Sequence, residues 1–169
     1  MEHISGIRIE PLNKSHLRGR FDCGNESINR YLKKYARQND EKNIAKTFVA
    51  IDSDNHVIGF YCLSAASIEF SQLPHGTNKH FPRYPVPVAR VGQLGVDKSF
   101  HGSGLGARLL VNALYRIVSI SKDLAVRAVI VDVINDEARD FYLHFGFISL
   151  PNHKMTLFLP IETICELFG

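Results

Sequence analysis

The spacing of apolar positions changes several times along the chain, and each change marks an element. Ile7 and Ile9 alternate with polar neighbours before Pro11, which predicts a short first strand. From Ile28 the spacing becomes i, i+3, i+4, i+7, i+8 through Tyr31, Leu32, Tyr35 and Ala36, predicting a helix over 26–39 capped by Asn25. At roughly 100° per residue those five positions fill one arc, and Arg30, Lys33, Lys34 and Arg37 fall together on the opposite one. Apolar runs over 46–52 and 57–70, separated by the polar Ser53-Asp54-Asn55-His56, predict an antiparallel hairpin. Four prolines within 71–87 predict an ordered irregular segment. A strand over 88–97 follows, then a helix over 104–121 whose apolar face is Leu105, Leu109, Leu110, Ala113, Leu114 and Ile117. Residues 127–134 read as a buried strand, 135–145 as a short helix and 155–160 as a closing strand. A hairpin followed by strand, helix, strand, helix predicts an α/β fold with a mixed sheet and helices on its faces.

Composition sharpens this only in part. A chain of 169 residues fits a single domain spanning 1–169, and 45% hydrophobic with 22% charged residues excludes a disordered chain. The net charge of +3, from 20 Lys+Arg and 17 Asp+Glu, decides nothing as a total. Between Lys14 and Lys46, however, nine basic residues face four acidic ones, a local excess larger than the whole net charge. The basic surface is therefore local. Three scattered cysteines with no C-x-x-C pair predict a reducing, cytoplasmic setting. The longest apolar stretch, Val57 to Ala66, is interrupted by Gly59 and Ser64, so neither a signal peptide nor a membrane span is expected. His56, His75, His144 and His153 lack metal-ligand spacing, and no metal is expected.

The candidate chemistry lies between Gly95 and Leu110. Gly102, Gly104 and Gly106 alternate between a strand and a helix, where a backbone free to curl aims successive N–H groups at an anion. This is a phosphate or pyrophosphate cradle, or else three glycines that only make a tight turn. A Walker A loop is excluded, because Ala107 and Arg108 stand where Lys and Ser/Thr belong. Gly102 to Ala107 satisfies G-x-G-x-x-[GA], but the loop follows several strands and Asp132 lies too far along, inside its strand, to hold a ribose. NAD binding is not expected.

The Gly95–Leu110 stretch resembles the acetyl-CoA-binding motif of the GNAT acetyltransferases, R/Q-x-x-G-x-[GA]. Downstream, residues Asn135 to Phe147 resemble that family's N-x-x-A-x-x-F-Y-x-x-x-G-F segment. More narrowly, Phe21-Asp22-Cys23-Gly24, Asn29-x-Tyr31-Leu32, Ala36-x-Gln38, the Gly59-to-Ser64 strand and Pro82-Arg83-Tyr84-Pro85-Val86-Pro87 resemble its toxin branch. The resemblance runs from about Ile7 to Ile164. It implies the GNAT fold and acetyl-CoA as co-substrate. The pyrophosphate would sit on main-chain N–H groups of Gly102, Ser103, Gly104, Leu105, Gly106 and Ala107, and His101 occupies the R/Q position. His101 offers a ring N–H but lacks the reach of Arg or Gln. The pantetheine would pair beside Leu94, Gly95 and Val96, with the Val96 N–H as oxyanion donor, and Asn135 and Phe141 would contact the same ligand. Tyr142 would act as general acid to the departing sulfur.

The resemblance also implies acetylation of the α-amino group of aminoacyl-tRNA, which blocks translation. A ribbon-helix-helix antitoxin would neutralise the protein and carry its contact with DNA, and a homodimer is expected. An α-amine titrates near ~8 and a lysine near ~10.4, so a site without an obvious strong base favours the α-amine. For tRNA, the candidates are the Arg30, Lys33, Lys34 and Arg37 stripe, with Arg83, Tyr84 and Arg90 as a second group alongside Lys79 and His80. Other readings stay open. Tyr142 could be a packing aromatic, Asn135 a helix cap, and the stripe a solvated face. The runner-up substrate is a small-molecule or protein amine, and a CoA-binding module without turnover is the reading furthest from an enzyme.

Overall fold

The apolar runs become strands: β1 (Arg8–Pro11), β2 (Lys46–Ile51), β3 (Val57–Ile68), β4 (Val86–Val96), β5 (Ala128–Asp132), β6 (Ile148–Leu150) and β7 (His153–Pro160). The helices are α1 (Glu26–Arg30), α2 (Ala36–Glu41), α3 (Leu105–Ile120), α4 (Asp136–His144) and α5 (Ile161–Phe168), with a π-helical turn over Tyr31–Tyr35 joining α1 to α2. This computed structural model describes residues 6–74 and 85–168, so Arg83 and Tyr84, with Lys79 and His80, lie outside the described residues. The strand order is β1-β2-β3-β4-β5-β7-β6. β4 and β5 run parallel, while β1–β2, β2–β3, β5–β7 and β6–β7 are antiparallel, so the sheet is mixed as expected.

The chain divides into two compact units, one holding residues up to 64 together with 92–113, the other 65–91 together with 114–168. In the first, the expected hairpin forms in the register Phe48↔Tyr61 and Val49↔Phe60. Its turn is fastened by the Asp52 carboxylate, which accepts the N–H groups of Asp54 and His56. Phe21, Leu32, Ala36, Val49 and Phe60 make one fully buried cluster, with Phe21 edge-on to Phe60 at 5.5 Å between ring centroids. Helix α3 buries its predicted stripe, and Leu105, Leu109, Leu110 and Ala113 are without solvent exposure. Gly59 sets its distance from β3: a Cβ there would lie 2.8 Å from Leu109 Cδ1 and 3.4 Å from Leu105 Cδ2.

The segment predicted as one regular helix departs from that expectation. Asn25 does cap it, its Oδ1 accepting the Ile28 N–H at 3.1 Å. Further along, the Ala36 N–H donates to the Tyr31 carbonyl, five residues back. The Leu32 carbonyl, its ordinary i−4 partner, instead accepts Arg18 Nη1 at 2.9 Å. The wider turn rotates the residues beyond it, so Ala36 stays buried while Tyr35, expected on the core face, is 46% exposed.

In the second unit, Val86, Val88, Ala128, Ile130, Leu150 and Phe158 pack with Ile68 and Leu73. Strand β4 begins at Val86, inside the stretch expected to be irregular. Pro87 there uses only its carbonyl, which accepts the Arg127 N–H at 2.8 Å. Strand β6 and helix α5 were not expected. Three residues are too few to show a period, and α5 follows β7 without a polar break, directly after Pro160.

Candidate active site

In the first unit, β4 leads into the glycine turn. The Asp97 N–H donates to the Ile58 carbonyl on β3 at 2.9 Å, and by strand alternation Leu94 and Val96 aim their N–H and C=O at the opposite edge. Pairing of β4 with β5 covers only Val88–Val91, so that edge at Leu94 and Val96 is a template for an extended ligand. Gly102 (φ 78) and Gly104 (φ 88) both take the left-handed conformation, with nothing within 4 Å of where a Cβ would stand. The turn delivers the chain into α3, a 16-residue helix.

The cradle is smaller than six amides. The Ser103 N–H donates to the Phe100 carbonyl (3.2 Å), and the Leu105 N–H to Ser103 Oγ (3.3 Å). The Gly104 carbonyl takes the Arg108 N–H at 3.1 Å, closing the first turn. Among the described residues no acceptor is seen for the N–H groups of Gly104, Gly106 and Ala107. Three donors at the positive end of a helix dipole thus face outward beside an open turn, a fit for a doubly negative pyrophosphate. His101 stands differently from expectation: its Nε2 bonds the Val96 carbonyl at 2.8 Å. A carbonyl only accepts, so Nε2 carries the hydrogen and that ring N–H is spent on β4.

Neighbouring residues brace this edge. The Asp22 carboxylate meets Lys98 Nζ at 3.1 Å, the Lys98 N–H donates to the Asp22 carbonyl at 2.8 Å, and the Asp22 N–H to Asp97 Oδ2 at 3.1 Å. Asn29, 4% exposed, donates to Asp22 Oδ1 (3.0 Å) and accepts the Cys23 N–H (2.9 Å). These hydrogen bonds, that from Asn29 foremost, hold the Asp22 carboxyl down at about 2.

In the second unit, Asn135 caps α4, its Oδ1 accepting the Ala138 N–H at 2.8 Å. Tyr142 is 7% exposed and sits edge-on to Phe141 (5.1 Å) and Phe147 (5.4 Å). Burial pushes its phenol well above the ordinary value, so it stays protonated. It is thus a packing aromatic that also keeps a proton, and Asn135 is a cap, the bland reading of each residue being true whether or not a second role is added.

A family model described as an acetyltransferase (GNAT) domain matches residues 43–149, more than half of the chain. The chain belongs to the GNAT acetyltransferases. One curated relative, a tRNA-acetylating toxin of Mycobacterium tuberculosis (strain ATCC 25618 / H37Rv), is 35% identical over 149 residues, covering 88% of this chain and 89% of the toxin. Two solved structures are similar. AtaT complexed with acetyl-methionyl-tRNAfMet has a TM-score of 0.90 and 28% identity, with 96% of this chain and 99% of that one covered. A tyrosine-to-phenylalanine mutant of the AtaT toxin, bound to the C-terminus of the antitoxin AtaR and acetyl-CoA, has a TM-score of 0.84 and 26% identity, covering 97% and 99%.

The basic candidates of this GNAT chain divide by partner. Arg37 is half-buried and meets Glu41 at 3.2 Å, while Arg30, Lys33 and Lys34 are exposed with no carboxylate within 4 Å among the described residues. Arg90, in the second unit, is ion-paired with Asp132, the last residue of β5. Residues not singled out as basic candidates matter as much: Asn29 and Asp22 fasten the β4 exit, and Arg18 holds the π turn. Asn29 at a core-facing helical position was a signal available in the sequence; Arg18 had none, because its partners are main-chain carbonyls. Among the described residues no helix is long and apolar enough to cross a membrane, and no cluster of metal-ligating side chains occurs.

Proposed function

We propose that this GNAT chain transfers acetyl from acetyl-CoA to the α-amino group of aminoacyl-tRNA in the cytoplasm, arresting translation. We read residues 1–169 as one domain that works as a homodimer and is neutralised by a ribbon-helix-helix antitoxin, which carries the contact with DNA. The observation that carries the reading is the match to a tRNA-acetylating toxin along nearly the whole of both chains.

In this mechanism the N–H groups of Gly104, Gly106 and Ala107 hold the pyrophosphate, and the pantetheine runs beside Leu94–Val96, pairing at Leu94 because the Val96 carbonyl is already bonded to His101. Asn135 and Phe141 contact the same arm. The amine nitrogen attacks the acetyl carbon, and the Val96 N–H receives the developing oxyanion. The C–S bond then breaks as Tyr142 gives its proton to the sulfur, and the surplus amine proton returns through water to the Tyr142 phenolate, restoring the phenol. A buried phenol that holds its proton suits the acid's part, because a thiol of ordinary pKa ~8.5 needs only modest help to leave. Incubation with labelled acetyl-CoA and charged total tRNA tests the proposal. Label on the aminoacyl group is expected; label confined to free amines or peptides overturns it.

A further inference from the structure

Within the first unit a cleft of about 490 Å³ is lined by His16, Leu17, Arg18, Arg20, Lys33 and His56. Three of its lining residues carry full positive charges, and among the described residues no acidic side chain lines it. The walls are built, not incidental. Leu17 bridges His56, with the Leu17 N–H donating to the Asn55 carbonyl (2.9 Å) and the Val57 N–H to the Leu17 carbonyl (2.9 Å). Asn55 Nδ2 donates to the Ser15 carbonyl at 2.6 Å. Arg18 fixes the facing wall through Leu32 and the π turn. His16, 4% exposed, is locked between the Asn13 N–H, which its Nδ1 accepts at 3.0 Å, and Glu10 Oε1, 2.7 Å from its Nε2. The Nδ1 atom of His56 is buried and has no hydrogen-bond partner among the described residues.

We infer that this cleft is a nucleotide subsite for the RNA substrate, taking a backbone phosphate on Arg20 and Lys33 and resting its sugar or base on Leu17 and His56. The inference rests on the tRNA-acetylating function proposed for the chain. Guanidinium and ammonium groups without a carboxylate among them suit a phosphate. A half-exposed leucine and a histidine ring add the flat, partly apolar surface that a nucleoside needs and a bare anion does not. Continuity favours a polymer: Lys33 belongs both to this wall and to the exposed run with Arg30 and Lys34, so the cleft continues a cationic track. Burial and the neighbouring Arg37 lower the Arg18 pKa, in keeping with a site short of anions.

The test is equilibrium binding of the full-length protein to uncharged total tRNA over a salt series, with free 5′-AMP as competitor. The exposed pair Arg20→Ala/Lys33→Ala should weaken tRNA binding about tenfold or more and reduce the salt slope by roughly two. The charge-matched pair Lys122→Ala/Lys154→Ala should change neither. Thermal midpoint and acetyl-CoA affinity should equal the wild type in both. Unchanged tRNA affinity and slope in the cleft pair overturn the subsite while leaving the tRNA reading intact. Wild type that binds 5′-AMP but not tRNA overturns the polymer assignment and the substrate reading together.

Discussion

Gly95 is a candidate on both counts, as part of the acetyl-CoA strand and as a packing position, and a single methyl separates the two. A Cβ on Gly95 would stand 2.9 Å from Ile28 Cγ2, 3.3 Å from Phe60 Cε1 and 3.4 Å from Phe21 Cζ. Carbon atoms rest at about 3.5–4.0 Å, so the nearest contact is short by about 0.6 Å or more. Phe21 and Phe60 have no solvent exposure and cannot withdraw, which leaves Ile28 and helix α1 to move. Overpacking of this kind costs about 1–3 kcal/mol. At ~2 kcal/mol the thermal midpoint of a chain this size should fall by roughly 4–8 °C in a circular-dichroism melt of Gly95→Ala. The clash is specific, so it should be relieved by Ile28→Ala, which removes Cγ2: Gly95→Ala should cost at least ~0.5 kcal/mol less in that background. An unchanged midpoint accompanied by lost acetyl-CoA binding would refute the packing account and return Gly95 to the ligand face.

Four further outcomes are expected. Tyr142→Phe should lower kcat by about 10²–10⁴ with acetyl-CoA affinity retained, measured by steady-state kinetics and calorimetry; because its phenol is raised, the wild-type rate should show no alkaline limb from this group below pH ~10. Asn135→Ala should cost about 0.5–2 kcal/mol through loss of the cap, whereas Asn135→Ser should keep stability, so any rise in acetyl-CoA KM in the serine variant isolates a ligand contact. Gly104→Ala, forced to φ 88, should lose about 1–2 kcal/mol in a melt and weaken acetyl-CoA several-fold in a binding titration. The depressed pKa of Asp22, about 2, means its contribution to stability is complete above the ordinary value of 3.8 and disappears as pH falls through about 2; melts between pH 5 and 2 should therefore slope less in Asp22→Asn than in wild type.

The elements legible in the sequence were those set by local period and composition. The stripe of α3 and the hairpin with its Asp52-fastened turn needed no information from elsewhere in the chain. The exposure of Tyr35 did, because the assumption of 100° per residue holds only while every N–H bonds four residues back. Arg18, fourteen residues before Leu32, takes that carbonyl, and no periodicity in residues 26–39 carries a trace of it. The site divides the same way. Three alternate glycines leave an anion cradle or a bare tight turn open, and which amides remain available depends on Ser103, whose own N–H and hydroxyl go to Phe100 and whose oxygen takes the Leu105 N–H.

The same competition for carbonyls joins the two basic features of the first unit. Had Ala36 kept its ordinary bond to Leu32, Arg18 would compete for that carbonyl and keep only the longer contact with Lys33 at 3.5 Å. The π turn therefore does two things at once. It turns Tyr35 out of the core, and it places a guanidinium at the junction between the exposed Arg30, Lys33 and Lys34 and the wall carrying Arg20 and His56. Conversion of Arg18 to Lys tests that link, because an ammonium reaches one carbonyl where the guanidinium spans Leu32 at 2.9 Å and Lys33 at 3.5 Å. Arg18→Lys keeps the charge, so the salt slope of tRNA binding should hold while affinity falls and Tyr35 fluorescence shifts with the helix. Equal affinity with an altered helix would break the connection between the π turn and the cleft.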